Sequence, residues 1–331
     1  MTLPTKVAAV GCGVIGSGWA SRFALHGVDV AIADPSPDAE RIAAEVHANA
    51  VHAWDELGLP TDRQGTLTVA ASIDDAVADA EFIQESVPER LPLKRSVLAD
   101  IEAAATPDAL IASSTSGFKP TDLQAEMSHP DRLVVGHPFN PVYLLPLVEV
   151  VGGERTSLGA VDRAMEIYRA AGMKPLHVRV EIDAFIADRF LEAVWREALW
   201  MINDGVATTE EIDDAIRYGF GLRWAQMGLF ETYRVAGGEA GMRHFIAQFG
   251  EALSWPWTKL MDVPELTDEL IEAVADQSDA QSGHLSIREL ERIRDDNLAA
   301  ILLALEGKRW GAGATLADQR DALDRRDNHL T

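Results

Sequence analysis

The sequence predicts an α/β protein in which a doubly wound, Rossmann-type domain precedes an all-α domain. Three observations support this fold class. The first 34 residues contain a strand, a glycine-rich turn, a helix and a second strand, which together form a βαβ unit. Strand-like and helical stretches then alternate up to about Val180, and only helical patterns follow. With 331 residues available for two cores, we expect domains at 1–182 and 183–331.

The N-terminal strands are short apolar runs. Lys6–Val10 is the first, and a run at 28–34 follows a helical stretch that begins at Ile15 and ends before Gly27. Later runs of the same character lie at 82–87, 110–113, 133–136 and 147–151, and helical stretches lie at 93–105 and 158–171. This alternation predicts a largely parallel sheet with crossover helices.

The C-terminal half carries helix signals only. The stretch from 184 to 203 has apolar residues on most of its faces, which is typical of a helix buried in a core or between subunits. Thr208 with Glu211, and Ser286 with Glu289, have the spacing of capping boxes and mark two further helix starts. We expect the tail from about Gly311 to be loosely held.

Composition and charge exclude several classes of protein. A net charge of -24 at pH 7 disfavours binding to nucleic acid or to an anionic membrane surface. No apolar run reaches the ~18 residues that span a bilayer, and the first residues lack the pattern of a secretory signal. The single cysteine, Cys12, can form no internal disulfide. We expect a cytoplasmic protein with a small substrate, and we assign no metal site.

The turn after the first strand has the pattern of a dinucleotide-binding loop. Gly11 permits a tight turn, Gly13 lets the backbone approach a pyrophosphate, and Gly16 allows the helix to pack closely on the strand. Val14 and Ile15 open the helix, whose free amides and positive dipole end favour phosphate.

An acidic residue completes this loop. Asp34 ends the second strand about 20 residues further on, where a carboxylate accepts hydrogen bonds from an adenosine ribose. It also repels a 2′-phosphate, so the sequence favours NAD over NADP. A strand-end turn residue is the alternative interpretation of Asp34. Because the glycines, the flanking elements and Asp34 occur together, we predict NAD as the cofactor.

A histidine and a glutamate form the second informative cluster. His137 begins the segment His-Pro-Phe-Asn-Pro, and Glu149 lies twelve positions later in an otherwise apolar strand. Burial of a carboxylate is costly unless a partner offsets it. A buried pair of His137 and Glu149 explains both residues.

At these residues the chain resembles the 3-hydroxyacyl-CoA dehydrogenase superfamily. The matching segments are the glycine loop, Ala-Ser-Ser-Thr-Ser ending at Ser116, the segment that begins at His137, and Leu-Val-Glu ending at Glu149. The resemblance implies that His137 accepts the hydroxyl proton while hydride leaves for the nicotinamide. It implies that Glu149 orients the ring and that Ser116 bonds the substrate oxygen beside the nicotinamide.

The resemblance also implies that Asn140, Glu89 and Lys94 contact the cofactor. The alternatives are that Ser116 is a turn hydroxyl, that Asn140 is a pre-proline turn former, and that Lys94 is a solvated helix residue.

One position departs from the superfamily pattern, because Asp188 stands where an asparagine usually assists the substrate oxygen. An ionised aspartate cannot donate a hydrogen bond. Its remaining roles are to pair with Arg189, to meet a cationic substrate group, or to act in protonated form.

Within the superfamily, the blocks at 186–189, 203–213 and 221–228 most resemble the L-carnitine dehydrogenases. This resemblance implies a zwitterionic 3-hydroxy acid as substrate and a homodimer. Aromatic faces and carboxylates recognise a quaternary ammonium group. The predicted contacts for that group are Tyr143, Trp224 and Phe230, with Tyr233, Trp255 and Trp257 as weaker candidates. The candidates for the substrate carboxylate are Arg189, Arg223 and Lys119.

Two other substrates and a different class stay open. An acyl-CoA brings phosphate charges, yet Arg63 is the only lysine or arginine in residues 45–69. A sugar acid of the L-gulonate type requires a pocket rich in hydrogen bonds instead of aromatic rings. A protein that binds NAD without turnover is the third alternative, and the joint presence of Ser116, His137 and Glu149 argues against it.

Overall fold

The computed structural model describes residues 3–225, 228–236, 239, 241–249, 258–259, 265 and 267–328. The strands of this part are β1 (Lys6–Val10), β2 (Asp29–Ala33), β3 (Leu67–Val69), β4 (Phe82–Glu85), β5 (Leu110–Ser113), β6 (Leu133–Pro138), β7 (Leu147–Gly152) and β8 (Lys174–Val178). The helices of this part are α1 (Val14–Leu25), α2 (Ala39–Glu56), α3 (Ile73–Val77), α4 (Leu91–Ala104), α5 (Pro120–Leu123), α6 (Leu158–Ala170), α7 (Ala187–Asn203), α8 (Thr209–Ala215), α9 (Gly221–Trp224), α10 (Gly228–Ala236), α11 (Gly241–Phe249), α12 (Asp268–Ser282), α13 (Ile287–Glu306) and α14 (Ala312–Asn328).

The strands form one sheet in the order β3-β2-β1-β4-β5-β6-β7-β8. The strands from β3 to β6 are parallel, whereas β7 runs antiparallel to β6 and β8 runs parallel to β7. The strand order reverses at β1, so a crevice opens where the carboxyl ends of β1 and β4 diverge. The predicted doubly wound α/β fold followed by helices is confirmed.

Both faces of the sheet are buried, which explains why the central strands are apolar runs. Alternate residues of β1 point to opposite faces, because Val7 belongs to one core cluster and Ala8 to another. Helices α1, α2 and α6 cover the first face, where Trp19 of α1 and Tyr168 of α6 pack with ring centroids 5.1 Å apart. Helices α3, α4 and α5 cover the second face.

Several elements of this sheet unit have no counterpart in the sequence prediction. Strands β3 and β8 lie at the two edges of the sheet and are only partly buried, so neither is a continuous apolar run. Helix α3 is five residues long. Helix α2 buries four alanines together with Val46 and Trp54.

The chain divides into two compact units, Met1–Ile186 with Arg292–Thr331, and Ala187–Glu291. This division differs from the expected one, because residues 292–331 group with the sheet and not with the helices of residues 187–291. Arg320 of α14 donates to the carbonyl oxygens of Gly58 and Leu57 at 2.7 Å each. The expected loose tail is therefore wrong for the described part of this segment, which forms α14.

The predicted apolar helix is α7, but its burial is not that of a core helix. Leu199 is buried, whereas Phe190, Leu191 and Trp195 are each more than half exposed in the single chain. The predicted capping box at Thr208 is confirmed at the start of α8. No helix among the residues described is both long enough and apolar enough to cross a membrane.

Candidate functional site

The antiparallel pairing of β6 with β7 places His137 directly opposite Glu149. Opposed residues of such a pair project to the same face of the sheet. The Nδ1 atom of His137 lies 3.0 Å from Oε2 of Glu149. The Glu149 side chain is fully buried and the His137 side chain is 5% exposed. The predicted buried pair is therefore present.

The second oxygen of Glu149 holds the segment that leads into α7. Its Oε1 atom accepts a hydrogen bond from the backbone N–H of Ile186 at 3.0 Å. The two residues before Ile186 adopt left-handed backbone, with φ of 59° at Ala184 and 48° at Phe185. Neither is glycine, so this turn is conformationally costly and depends on its contacts.

Two aromatic rings pack against the imidazole. The ring centroid of Phe139 lies 4.9 Å from that of His137, and the centroid of the fully buried Phe185 lies 5.5 Å away. A carboxylate facing Nδ1 requires the hydrogen of a neutral ring on that nitrogen. The Nε2 atom is then the nitrogen with a lone pair for a proton.

The glycine turn has the geometry that its sequence predicts. Gly11 has φ of 97°, in the left-handed region that favours glycine. A Cβ atom on Gly16 would lie 1.8 Å from the carbonyl oxygen of Gly11, so any side chain there would separate α1 from the turn. A Cβ atom on Gly13 would meet no atom within 4 Å, and Val14 is half exposed. The amino end of α1 is therefore open to a ligand, with Ile15 partly buried beneath it.

The carboxylate of Asp34 lies against this turn. It accepts hydrogen bonds from the backbone N–H of Cys12 at 2.6 Å and from that of Ser36 at 2.8 Å. These bonds fix its orientation and leave lone pairs that can accept from ribose hydroxyls. No acidic residue lies in the first turn of α1, so the positive dipole end faces no carboxylate from its own helix.

The predicted cofactor contacts Glu89 and Lys94 belong to one network with Ser116. Oε1 of Glu89 accepts from the backbone N–H groups of Ser116 and Gly117 at 3.2 Å each, and also from the Thr115 hydroxyl. Lys94 is 1% exposed and lies 3.4 Å from Oε2 of Glu89. Its interpretation as a solvated helix residue is wrong.

The turn hydroxyl of Ser116 and the side chain of Asn140 both occur at carboxyl ends of parallel strands. Ser116 is exposed in the turn that follows β5, and Asn140 is exposed in the loop that follows β6. The glycine turn follows β1 and Asp34 follows β2 at the same edge. Ligands of doubly wound sheets bind at this edge.

Sequence reasoning missed several buried charged residues of this unit, among them Glu85 and Arg22. Glu85 ends β4 and pairs with Lys94, whose Nζ lies 2.9 Å from Oε1 of Glu85. Arg22 of α1 donates to the carbonyl oxygens of Val142 at 2.6 Å and Leu145 at 3.2 Å, in the loop that follows His137. Burial lowers the pKa of Arg22 to about 9. The signal that indicated Glu149, a carboxylate in an apolar strand, is also present at Glu85 and could have identified it.

Tyr143 is buried in a packed cluster. Its hydroxyl donates to Asp295 of α13, its backbone carbonyl accepts from Trp54 Nε1 at 3.3 Å, and the ring is 5% exposed. This placement favours a packing role over the predicted substrate contact.

The other predicted substrate residues lie in the helical unit. Asp188 is half-buried in the first turn of α7, where the helix dipole also favours a carboxylate, and Arg189 follows it. Arg223 and Trp224 are exposed on α9, with the Trp224 ring 4.6 Å from that of Phe220, and Phe230 is exposed on α10. Tyr233 stacks on Phe245, and the predicted candidates Trp255 and Trp257 lie outside the described residues.

Sequence profiles assign the family. The NAD binding domain of 3-hydroxyacyl-CoA dehydrogenase matches residues 6–182, and the C-terminal domain of that enzyme matches residues 185–276. The chain belongs to the 3-hydroxyacyl-CoA dehydrogenase family. It is therefore an NAD-dependent oxidoreductase that acts on a CH–OH group. Within the described residues, no three His, Cys, Asp or Glu side chains form a group suited to a metal ion.

Relatives within this family are similar over nearly the whole chain. L-carnitine dehydrogenase of Mesorhizobium japonicum is 62% identical over 98% of this chain and 90% of its own length. L-carnitine dehydrogenase of Pseudomonas aeruginosa is 58% identical, over 94% of this chain and 97% of its own. An L-carnitine dehydrogenase/betainyl-CoA thioesterase of Agrobacterium fabrum is 64% identical over 94% of this chain, which spans 64% of that relative.

Two solved structures have folds similar to that of this chain. A 5-formyl-3-hydroxy-2-methylpyridine 4-carboxylic acid 5-dehydrogenase, an NAD+ dependent dismutase, is 27% identical with a TM-score of 0.78, over 92% of this chain and 99% of its own. FadB2 of M. tuberculosis is 25% identical with a TM-score of 0.64, over 87% and 97%. The cofactor of this dehydrogenase family member is NAD, and the open glycine turn with Asp34 fits that group.

Proposed function

We propose that this dehydrogenase oxidises the 3-hydroxyl group of L-carnitine to a ketone, giving 3-dehydrocarnitine, with NAD as the hydride acceptor. The buried pair of His137 and Glu149 is the observation that supports the chemistry, since it supplies a fixed base at the ligand edge of the sheet. The high identity to relatives named L-carnitine dehydrogenase supports the choice of substrate.

The proton is taken by His137 in this proposal. Its Nδ1–H donates to Glu149, so Nε2 accepts the hydroxyl proton of the substrate. The ring becomes cationic as the proton arrives, and the buried carboxylate 3.0 Å away stabilises that charge. NAD, held at the glycine turn and Asp34, would supply the hydride acceptor for the carbon whose hydroxyl group loses its proton. His137 then releases its proton to solvent, which returns the ring to its neutral form and accounts for the proton taken from the substrate.

In this proposal the hydroxyl of Ser116 donates a hydrogen bond to the substrate oxygen. Its backbone N–H is held by Glu89 at 3.2 Å, so the turn presents the hydroxyl from a fixed backbone. Asn140 contacts the nicotinamide ribose and Glu89 contributes a further cofactor contact, whereas the buried Lys94 acts through its ion pair with Glu89. Orientation of this kind acts on the rate of the chemical step more than on substrate affinity.

Recognition of the trimethylammonium group is proposed for aromatic faces, because such a group has no N–H to donate. The rings of Trp224 and Phe230 are the leading candidates, and Arg189 or Arg223 is proposed to bind the substrate carboxylate. Asp188 is proposed to meet a cationic group or to pair with Arg189. The homodimer and the cytoplasmic location stay predictions.

The test is a substrate panel with NAD, followed by absorbance of NADH. We expect reduction of NAD with L-carnitine and none with L-gulonate, 3-hydroxybutyryl-CoA or a carnitine analogue that lacks the hydroxyl. Activity with L-gulonate or the CoA ester instead would replace the proposed substrate. Activity with none of them would favour a protein that binds NAD without turnover.

A further inference from the structure

A buried carboxylate that the proposed mechanism does not use lies close to the Ser116 turn. Glu85 is fully buried at the end of β4. Its Oε1 atom accepts from Lys94 Nζ at 2.9 Å and from the backbone N–H of Val87 at 2.7 Å, and its Oε2 atom accepts from the Ser113 hydroxyl. With three donors on two oxygens, this carboxylate has one orientation.

We propose that Glu85 is a positioning residue for the turn of residues 113–117, which carries Ser116. The inference rests on the role that the proposed function gives to Ser116. Glu85 acts on the turn through two neighbouring groups, one at each end of it.

The first route passes through Lys94 and Glu89. The buried ammonium of Lys94 lies between Oε1 of Glu85 at 2.9 Å and Oε2 of Glu89 at 3.4 Å. The other oxygen of Glu89 accepts the backbone N–H groups of Ser116 and Gly117 at 3.2 Å each. The position of the ammonium therefore sets the position of the carboxylate that holds the turn.

The second route passes through Ser113. Its hydroxyl donates to Glu85 and accepts the backbone N–H of Thr115 at 3.3 Å. Its hydrogen is directed at Glu85, and its lone pairs remain for the Thr115 N–H, so the bond to Glu85 helps to hold the acceptor in place. One carboxylate thus controls the backbone on both sides of residue 115.

Replacement of Glu85 by glutamine leaves no side-chain orientation that preserves both routes, with little change in volume. A glutamine offers a single oxygen to the three donors, and its amide hydrogens face Lys94 or Ser113. Lys94 keeps a buried charge whose remaining carboxylate partner, Glu89, has a side chain that is 43% exposed. The turn loses its fixed backbone, so Ser116 is misplaced for a larger fraction of the time.

The experiment is a double-mutant cycle of Glu85→Gln with Ser116→Ala, assayed with NAD and the substrate that the panel identifies. We expect Glu85→Gln alone to lower kcat about tenfold and to change the substrate KM less than about twofold. In the Ser116→Ala background the same change should lower kcat less than about twofold, because both act through one hydroxyl. Glu102→Gln is the control. The carboxylate of Glu102 also anchors a loop, because it accepts the backbone N–H groups of Ser128 and His129. This loop precedes β6, whereas the Ser116 turn follows β5 at the carboxyl ends of the strands.

The outcomes separate the inference from the proposed function. Losses of kcat that multiply fully in the double mutant overturn the inference, while leaving the role of Ser116 intact. An unchanged kcat in Ser116→Ala alone overturns the role of Ser116, and the inference with it. If Glu85→Gln does not fold, Ser113→Ala cuts only the second route, and a loss of about threefold that disappears in the Ser116→Ala background supports the inference.

Discussion

The two units of the chain differ in the side chains that they bury and in those that they expose. Within the described residues, the buried arginine, lysine, histidine, glutamate and aspartate side chains all lie in the sheet unit and are Arg22, His26, Glu85, Lys94, Arg132, His137, Glu149 and Asp295. The helical unit instead leaves aromatic rings exposed, and among the described residues Trp310 is the only such exposed ring outside it.

This difference indicates what each unit contributes. Burial of a charged side chain costs free energy, so such residues are found where a partner offsets that cost and often where they serve a function. Exposed aromatic rings at this density are typical of surfaces that bind another molecule. In the proposed mechanism the sheet unit supplies the chemistry, whereas the helical unit exposes apolar surface.

The largest effect is expected from the base of the sheet unit. Replacement of His137 by asparagine removes the proton acceptor, so turnover should fall by about a hundredfold or more. Affinity for NAD should stay nearly unchanged. His129→Asn is the matched control, because His129 is an exposed histidine just before β6. Loss of NAD affinity together with turnover would assign His137 a structural role.

A smaller effect is expected from Glu149→Gln, assayed by the same turnover measurement. Glu149 uses one oxygen for His137 and the other for the N–H of Ile186, and glutamine has only one oxygen for these two donors. We expect turnover to fall between about tenfold and a hundredfold, since the imidazole loses its fixed orientation. An unchanged rate would contradict the assignment of Glu149 as the orienting partner.

The next effect concerns stability, measured by urea unfolding. Arg22→Met leaves the buried carbonyl oxygens of Val142 and Ala171 without their donor, so the free energy of unfolding should fall by about 2 kcal/mol. Arg163→Met is the control, because exposed Arg163 also donates to two backbone carbonyls. Its loss should stay below about 1 kcal/mol, since water can replace the donor. Equal losses would show that burial of Arg22 adds nothing.

The smallest effect on the folded chain is expected in the helical unit. Trp195 of α7 is more than half exposed, so Trp195→Lys should leave activity per folded chain within about twofold. If a second copy covers α7, the same change should convert dimer to monomer in light scattering. A wild-type protein that is monomeric at assay concentration would exclude this use of the surface.

The sequence predicted the sheet unit well because its signals are local. The glycine turn, Asp34 and the central strands can each be recognised from a few neighbouring residues. Strands β1 and β5 begin and end where the predicted apolar runs do. The edge strands β3 and β8 could not be found, because half-exposed strands lack an apolar run. Pairing of His137 with Glu149 was predictable because a carboxylate in an apolar strand requires a partner.

Long-range packing limited the rest of the prediction. Docking of α14 depends on contacts of Arg320 with residues some 260 positions earlier, which no local pattern encodes. Tyr143 is aromatic and close in sequence to His137, yet its burial against α13 was invisible without the fold. For α7, the apolar pattern marked the helix and left open which of its faces is covered.

The central claim is that a neutral His137, held by Glu149, takes the substrate proton as hydride leaves. The most direct test is the single-turnover rate of NAD reduction with L-carnitine across the pH range in which imidazole titrates. The rate should rise with pH in wild type, because only the neutral ring accepts a proton, and then level off. A rate that stays constant from acid to alkaline pH would contradict the claim.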